Sequence, residues 1–190
     1  MSYLNRILKL IISIESIIIS SLTQINIPLP LINNFNNVSE FQVNLQIPVI
    51  ILLTIIFSGE LIFKAYFIYI FTGLFLLPVF FDGGSLGYLL TPNFGYLLGI
   101  FPLIKVINII YKKNIIKFLE FFKYSLIAIF IMHLIGILYF SLQFLLFSKS
   151  GLILYSIGKY SLSKLPYQIL SLIPVIILFK IINKLKIIDR

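Results

Sequence analysis

The chain has 190 residues, 60% of them hydrophobic and only 11% charged, with a formal net charge of +9. That balance lies outside the range of soluble globular domains and marks an integral membrane protein. The basic residues stand at the ends of apolar runs and form no face interleaved with stacking aromatics, which excludes nucleic acid as the partner, and the absence of cysteine excludes disulfides and thiolate metal sites.

At about 20 residues per spanning helix, the length predicts an all-α bundle of six transmembrane helices in a single domain over residues 1–190. The first helix is expected over Ile7–Thr23; Arg6 and Lys9 precede an isoleucine-rich run that ends in polar residues without a small-residue cleavage site, so it reads as a retained helix and not a signal peptide. Ser16 and Ser20 share one of its faces, and Ser13 extends the stripe. Small residues there admit a close neighbour, which packing within the same bundle already supplies. Glu15 lies in mid-helix, where an ionised group needs a partner or a proton.

Residues 25–41, INIPLPLINNFNNVSEF, are too polar to span and too broken by proline for a helix, and read as a loop. A short second helix follows from Asn44 to Phe57, with Pro48 in its first turn, and a third from Leu61 to Leu77 after a tight turn at Ser58–Glu60. The fourth is expected from Pro92 to Tyr111, with a kink at Pro102 and with Lys105 one turn on. At about 1.5 Å per residue, Glu15 and Lys105 lie at matching depths, which predicts an ion pair between helices 1 and 4. A basic stretch, YKKNIIKFLEFFK at 111–123, leads into a fifth helix ending near Phe147. His133 in its middle reads as a hydrogen-bonded packing residue, with no second metal ligand at helical spacing. Residues 148–164 form an amphipathic re-entry, and a sixth helix runs from Leu165 to Lys184.

With six spans, one side of the membrane holds Arg6, Lys9, Lys64, Lys112, Lys113, Lys117, Lys123, Lys180, Lys184, Lys186 and Arg190, eleven of the 15 basic residues. The positive-inside rule therefore places both termini in the cytoplasm. The 25–41 loop, the turn around Asp82 and the 148–164 segment then share the outer face.

The stretch Thr72–Gly99, TGLFLLPVFFDGGSLGYLLTPNFGYLLG, stands apart from a plain connector. A helix stops at Pro78, a glycine-loosened turn carries one carboxylate, Asp82, and Pro92 opens the next helix. Gly83, Gly84 and Gly87 let the backbone approach a ligand, and Phe80, Phe81, Tyr88, Phe94 and Tyr96 supply flat walls. Two readings stand, a pocket floor and a tight extracellular turn. There is no phosphate loop, no metal-ligand spacing and no nucleophile elbow, so the chain reads as a substrate-capturing subunit without catalytic residues, metal or cofactor.

INIPLP at 25–30, VNLQ at 43–46, LPVFFDGGSLGYLLTPNFGYLLG at 77–99 and HLIGILYFSL at 133–142 resemble successive blocks of the BioY family, and the match extends in order over nearly the whole chain. That resemblance implies the biotin-binding S component of an energy-coupling factor (ECF) transporter, a multi-pass protein of the cell membrane. Its partners would be a transmembrane T component and a pair of cytoplasmic ATPases. It also implies that a small-x-x-x-small face on the first helix docks the T component, which makes Ser13, Ser16 and Ser20 the candidates. One block departs: where the family carries P-G-D-x-x-K, residues 166–171 read PYQILS, so Gln168 stands for the aspartate and Ser171 for the lysine, with Lys164 or Lys159 able to replace it. Biotin presents a ureido ring, an apolar body and a carboxylate. Asp82 can accept from the ureido N–H groups, Asn44, Gln46, Asn93 or Gln168 can donate to its carbonyl, Lys164 can meet the carboxylate, and Phe80, Tyr88 and Tyr96 can enclose the body. An S component for another vitamin or small carboxylate is the nearest alternative, and a non-transporting membrane scaffold is the alternative of another class.

Overall fold

The computed structural model describes residues 3–28, 40–112, 118–147, 151 and 153–184. They are mostly helical: α1 (Tyr3–Leu22), α2 (Gln46–Ile56), α3 (Gly59–Phe75), α4 (Pro92–Lys112), α5 (Phe118–Leu146), α6 (Ile153–Ile157), α7 (Leu165–Leu170) and α8 (Leu172–Lys184). Leu86–Leu90 form a 3-10 turn, and Gly158–Leu162 a π-type turn that joins α6 toward α7.

The two ends of the region read as a loop form a strand pair: β1 (Gln24–Pro28) and β2 (Glu40–Asn44) pair antiparallel, Gln24 opposite Asn44 and Pro28 opposite Glu40. Proline forbids a helix there but not the first or last residue of an edge strand. The middle of the expected loop, residues 29–39, lies outside the described residues, as do 113–117 of the basic stretch and Lys149 in the re-entry. The expected sixth helix is two pieces divided at Ser171. Pro174 has no N–H to give the Leu170 carbonyl and its ring crowds that group, so α7 stops at Leu170.

Three stretches among the described residues are long and apolar enough to cross a membrane: Pro92–Ile110, Leu119–Leu146 and the composite Ile153–Ile181. The shorter α2 is also apolar. α4 packs along α5 and also touches α2 and α3; α1 lies on α3 and α2, and α8 on α2 and α5. The core between them is mostly aliphatic, built around Ile17, Ile50, Ile62, Leu103, Ile107 and Ile129, each fully buried, with Tyr66 and Phe121 sealed among them. Facing outward are Ile19, Phe67, Phe71, Phe130, Leu138 and Ile177, the apolar exterior that a bilayer covers.

The expected Glu15–Lys105 pair does not form. Glu15 lies on the exposed side of α1, Lys105 is exposed on α4 with its ammonium 5.6 Å from the centre of the Phe63 ring, and Glu60 instead pairs with Lys112 at 3.2 Å. Matching depth along two helices leaves their rotation free, and rotation of α1 carries Glu15 away from α4. Rotation also decides the serines. Ser13 and Ser20 are buried against this chain's own helices and bond back to the Lys9 and Ile17 carbonyls, while Ser16 is half-buried at the margin.

Candidate functional site

At the end of the bundle where α1 and α3 finish and α2 and α4 begin, the chain encloses a cavity of about 870 Å³. That volume suits a small organic molecule. All nine residues expected to touch a ligand line it: Asn44, Gln46, Phe80, Asp82, Tyr88, Asn93, Tyr96, Lys164 and Gln168. They come from β2, α2, the turn after α3, the 3-10 turn, α4, the segment entering α7 and α7 itself. A scaffold whose polar loops face water independently has no need of that convergence.

The turn after α3 is a clamped floor. Phe80 and Gly83 exchange backbone bonds of 2.9 and 3.0 Å, Ser85 N–H donates to the Gly73 carbonyl at 2.9 Å, and the Ser21 hydroxyl donates to the Val79 carbonyl at 3.0 Å. Gly83 holds a φ of 108°, open to glycine and strained for other residues. The Phe80 ring lies directly on Gly73, where a methyl group would clash with it. Phe80 then meets Tyr88 at 4.6 Å and Tyr69 at 5.4 Å between ring centres, which makes one aromatic wall. The Leu89 carbonyl accepts from the Tyr139 hydroxyl at 2.6 Å and from the Gln143 amide at 2.7 Å, fastening the 3-10 turn to α5.

Asp82 stands exposed at the rim, and its Oδ2 accepts from Asn93 Nδ2 at 2.6 Å. This bond spans from the turn to the first helical turn of α4, so the two expected ligand groups are also partners of each other. Tyr88 lies behind them. Burial, and then the neighbouring Asp82 charge, pushes its phenol well above the ordinary value near 10, so it remains a neutral wall. Deeper in, Gln46 is 3% exposed and its amide nitrogen has no hydrogen-bond partner among the described residues. A buried donor left open in a cavity wall is costly unless a bound acceptor completes it.

The segment entering α7 and α7 itself carry donors. Lys164 and Gln168 stand four residues apart, and the Lys159 and Lys164 ammonium groups lie 5.3 and 5.6 Å from the Tyr160 ring centre. Gln168 Oε1 is bonded to the buried His133 ring at 2.7 Å. Ser21, Gln24, Tyr69 and Tyr160 are among the further residues that line the cavity and that were not expected from the sequence. Gln24 had a signal: the alternation of apolar and polar residues at Ile25–Ile27 and Phe41–Val43 is that of a strand pair, which brings Gln24 beside Asn44.

The profile of the BioY family matches residues 5–187. The chain belongs to the BioY family. The probable biotin transporter BioY of Lysinibacillus sphaericus is 40% identical to this BioY-family chain over 75 residues, which are 40% of the chain and 34% of that protein. The matched part thus spans about a third of that relative's length. A crystal structure of the S-component for biotin from an ECF-type ABC transporter shares the fold, with a TM-score of 0.73, 97% of this chain and 95% of that chain covered, and 19% identity. Family membership and the apolar spans make this a membrane protein.

Proposed function

We propose that this chain is the biotin-capturing S component of an ECF-type uptake system in the cell membrane. The observation that carries the reading is the convergence of nine polar and aromatic residues on one cavity of about 870 Å³ in a chain of the BioY family. Family membership, the fold and the probable BioY relative all point the same way.

The chemistry of the walls matches the ligand end by end. An ionised carboxylate only accepts, so the Asp82 oxygen not engaged by Asn93 suits a ureido N–H, and the open amide nitrogen of Gln46 suits the ureido carbonyl. Asn44 and Asn93 add donors at the same end. Phe80, Tyr88 and Tyr96 flank the apolar body. Lys164 and Gln168 supply donors for the carboxylate.

In this reading the bundle crosses the membrane six times with both termini in the cytoplasm, and the cavity faces outward. The chain carries no catalytic residue. Transport is driven by ATPase subunits acting through a T component, whose close approach at α1 involves Ser16 among exposed Ile12 and Ile19. Co-expression tests this: labelled biotin should accumulate in transport-deficient cells when the chain is made with the T component and ATPases, and no accumulation despite full membrane insertion would contradict it.

A further inference from the structure

Behind the cavity wall, four side chains from three separate segments form one hydrogen-bonded chain. The Tyr96 hydroxyl lies 2.6 Å from Ser161 Oγ, Ser161 Oγ lies 3.1 Å from His133 Nδ1, and His133 Nε2 lies 2.7 Å from Gln168 Oε1. The two ends, Tyr96 and Gln168, line the cavity, whereas His133 and Ser161 are each 2% exposed. The imidazole also meets the Tyr96 ring edge-on at 5.4 Å between centres.

The donors can be ordered from one end. A carbonyl oxygen only accepts, so His133 Nε2 carries the proton. With the buried ring neutral and no carboxylate against it among the described residues, Nδ1 accepts the Ser161 proton, and Ser161 Oγ then accepts from the Tyr96 hydroxyl. The reverse order needs the Gln168 amide turned over, with its oxygen toward the cavity and the Tyr96 proton released into it. The ends are therefore complementary: one presents a donor when the other presents an acceptor.

We infer that His133 is a positioning residue that holds Gln168 as an N–H donor and Tyr96 as an acceptor toward the ligand. Joined to the Lys164 ammonium one helical turn earlier, Gln168 makes this wall a donor pair selective for an anionic group over a neutral one. The inference rests on biotin being the ligand only in the choice of probe; its wiring is a property of the protein alone.

His133 is the only histidine in the chain, so its tautomer is readable without assignment. In tag-free, ¹⁵N-histidine-labelled protein at neutral pH, the imidazole should show a protonated Nε2 and an unprotonated Nδ1; the opposite tautomer or an imidazolium overturns the proposal. Binding is then compared for biotin and biotin amide. The wild type should prefer the acid by about tenfold, the increment of one charge-assisted bond. His133→Phe should collapse that preference, and Gln168→Glu, which keeps the bond to His133 but turns an oxygen to the ligand, should invert it in favour of the amide. An equal loss for both ligands in both variants would mean a merely structural ring and overturn the proposal. If the wild type bound neither probe, the biotin reading would fall and the tautomer would still decide this one.

Discussion

Asn93 donates a 2.6 Å hydrogen bond to Asp82, tying the glycine-rich turn to the start of α4 at the rim of the cavity. The bond occupies one carboxylate oxygen and leaves the other for a ligand. Asp82→Asn should preserve the fold and weaken biotin binding by about 1–3 kcal/mol, as a charged hydrogen bond is replaced by a poorer one. Calorimetric titration of the folded variant measures this, and unchanged affinity would leave Asp82 as a fastening of the turn alone.

The Tyr96 ring rests on Gly136, where an added methyl carbon would lie 2.6 Å from ring atoms, while the same addition at Gly151 meets nothing within 4 Å. Overpacking of this kind typically costs about 1–3 kcal/mol. Gly136→Ala should therefore lower the unfolding temperature and weaken ligand binding through a displaced Tyr96, with Gly151→Ala, outside the cavity lining, the near-neutral control. Thermal unfolding in detergent compares the two.

Much of this arrangement is legible in the order of residues. Pro92 and the long apolar runs place α4 and the end of α5 to within a residue or two, because a proline start and an unbroken apolar stretch are local signals, whereas α5 begins at Phe118, inside the basic stretch read as leading into it. The cavity residues are legible as a set because polar and aromatic side chains cluster at chain reversals, where an apolar bundle has no other use for them. Rotation about a helix axis is not local. It depends on which neighbours a helix meets, and it decided both the separation of Glu15 from Lys105 and the burial of Ser13 and Ser20. The division of the last helix had its signal in Pro174, eight residues past Pro166, which an apolar run otherwise masks.

The serines of α1 separate packing from partner contact. Ser13→Leu and Ser20→Leu place bulk in sealed interior positions and should destabilise the isolated subunit, whereas Ser16→Leu should leave stability and ligand binding nearly intact and reduce uptake by the assembled transporter. Parallel unfolding and uptake measurements check the contrast. A stable Ser13→Leu subunit, or normal uptake by Ser16→Leu, would break it.

Tyr88 sets an alkaline limit. Its folded phenol titrates above the unfolded one, so its contribution is complete below about pH 10 and is lost as the pH rises further, since the unfolded chain gives up that proton first. Above about pH 10 the wild type should lose stability more steeply than Tyr88→Phe. Asp82→Asn, which removes the second cause of the shift, should soften the slope in part. Unfolding temperatures across the alkaline range report both.

A biotin-capturing subunit must bind biotin as the purified chain by itself. Ligand-dependent thermal stabilisation in detergent, with biotin set against other vitamins and small carboxylates, reads this directly; at a hundredfold excess over the dissociation constant a single site contributes about 2.7 kcal/mol. The unfolding temperature should rise saturably with biotin and not with the others, and the rise should be smaller in Asp82→Asn. A rise with a different vitamin and none with biotin would contradict biotin capture.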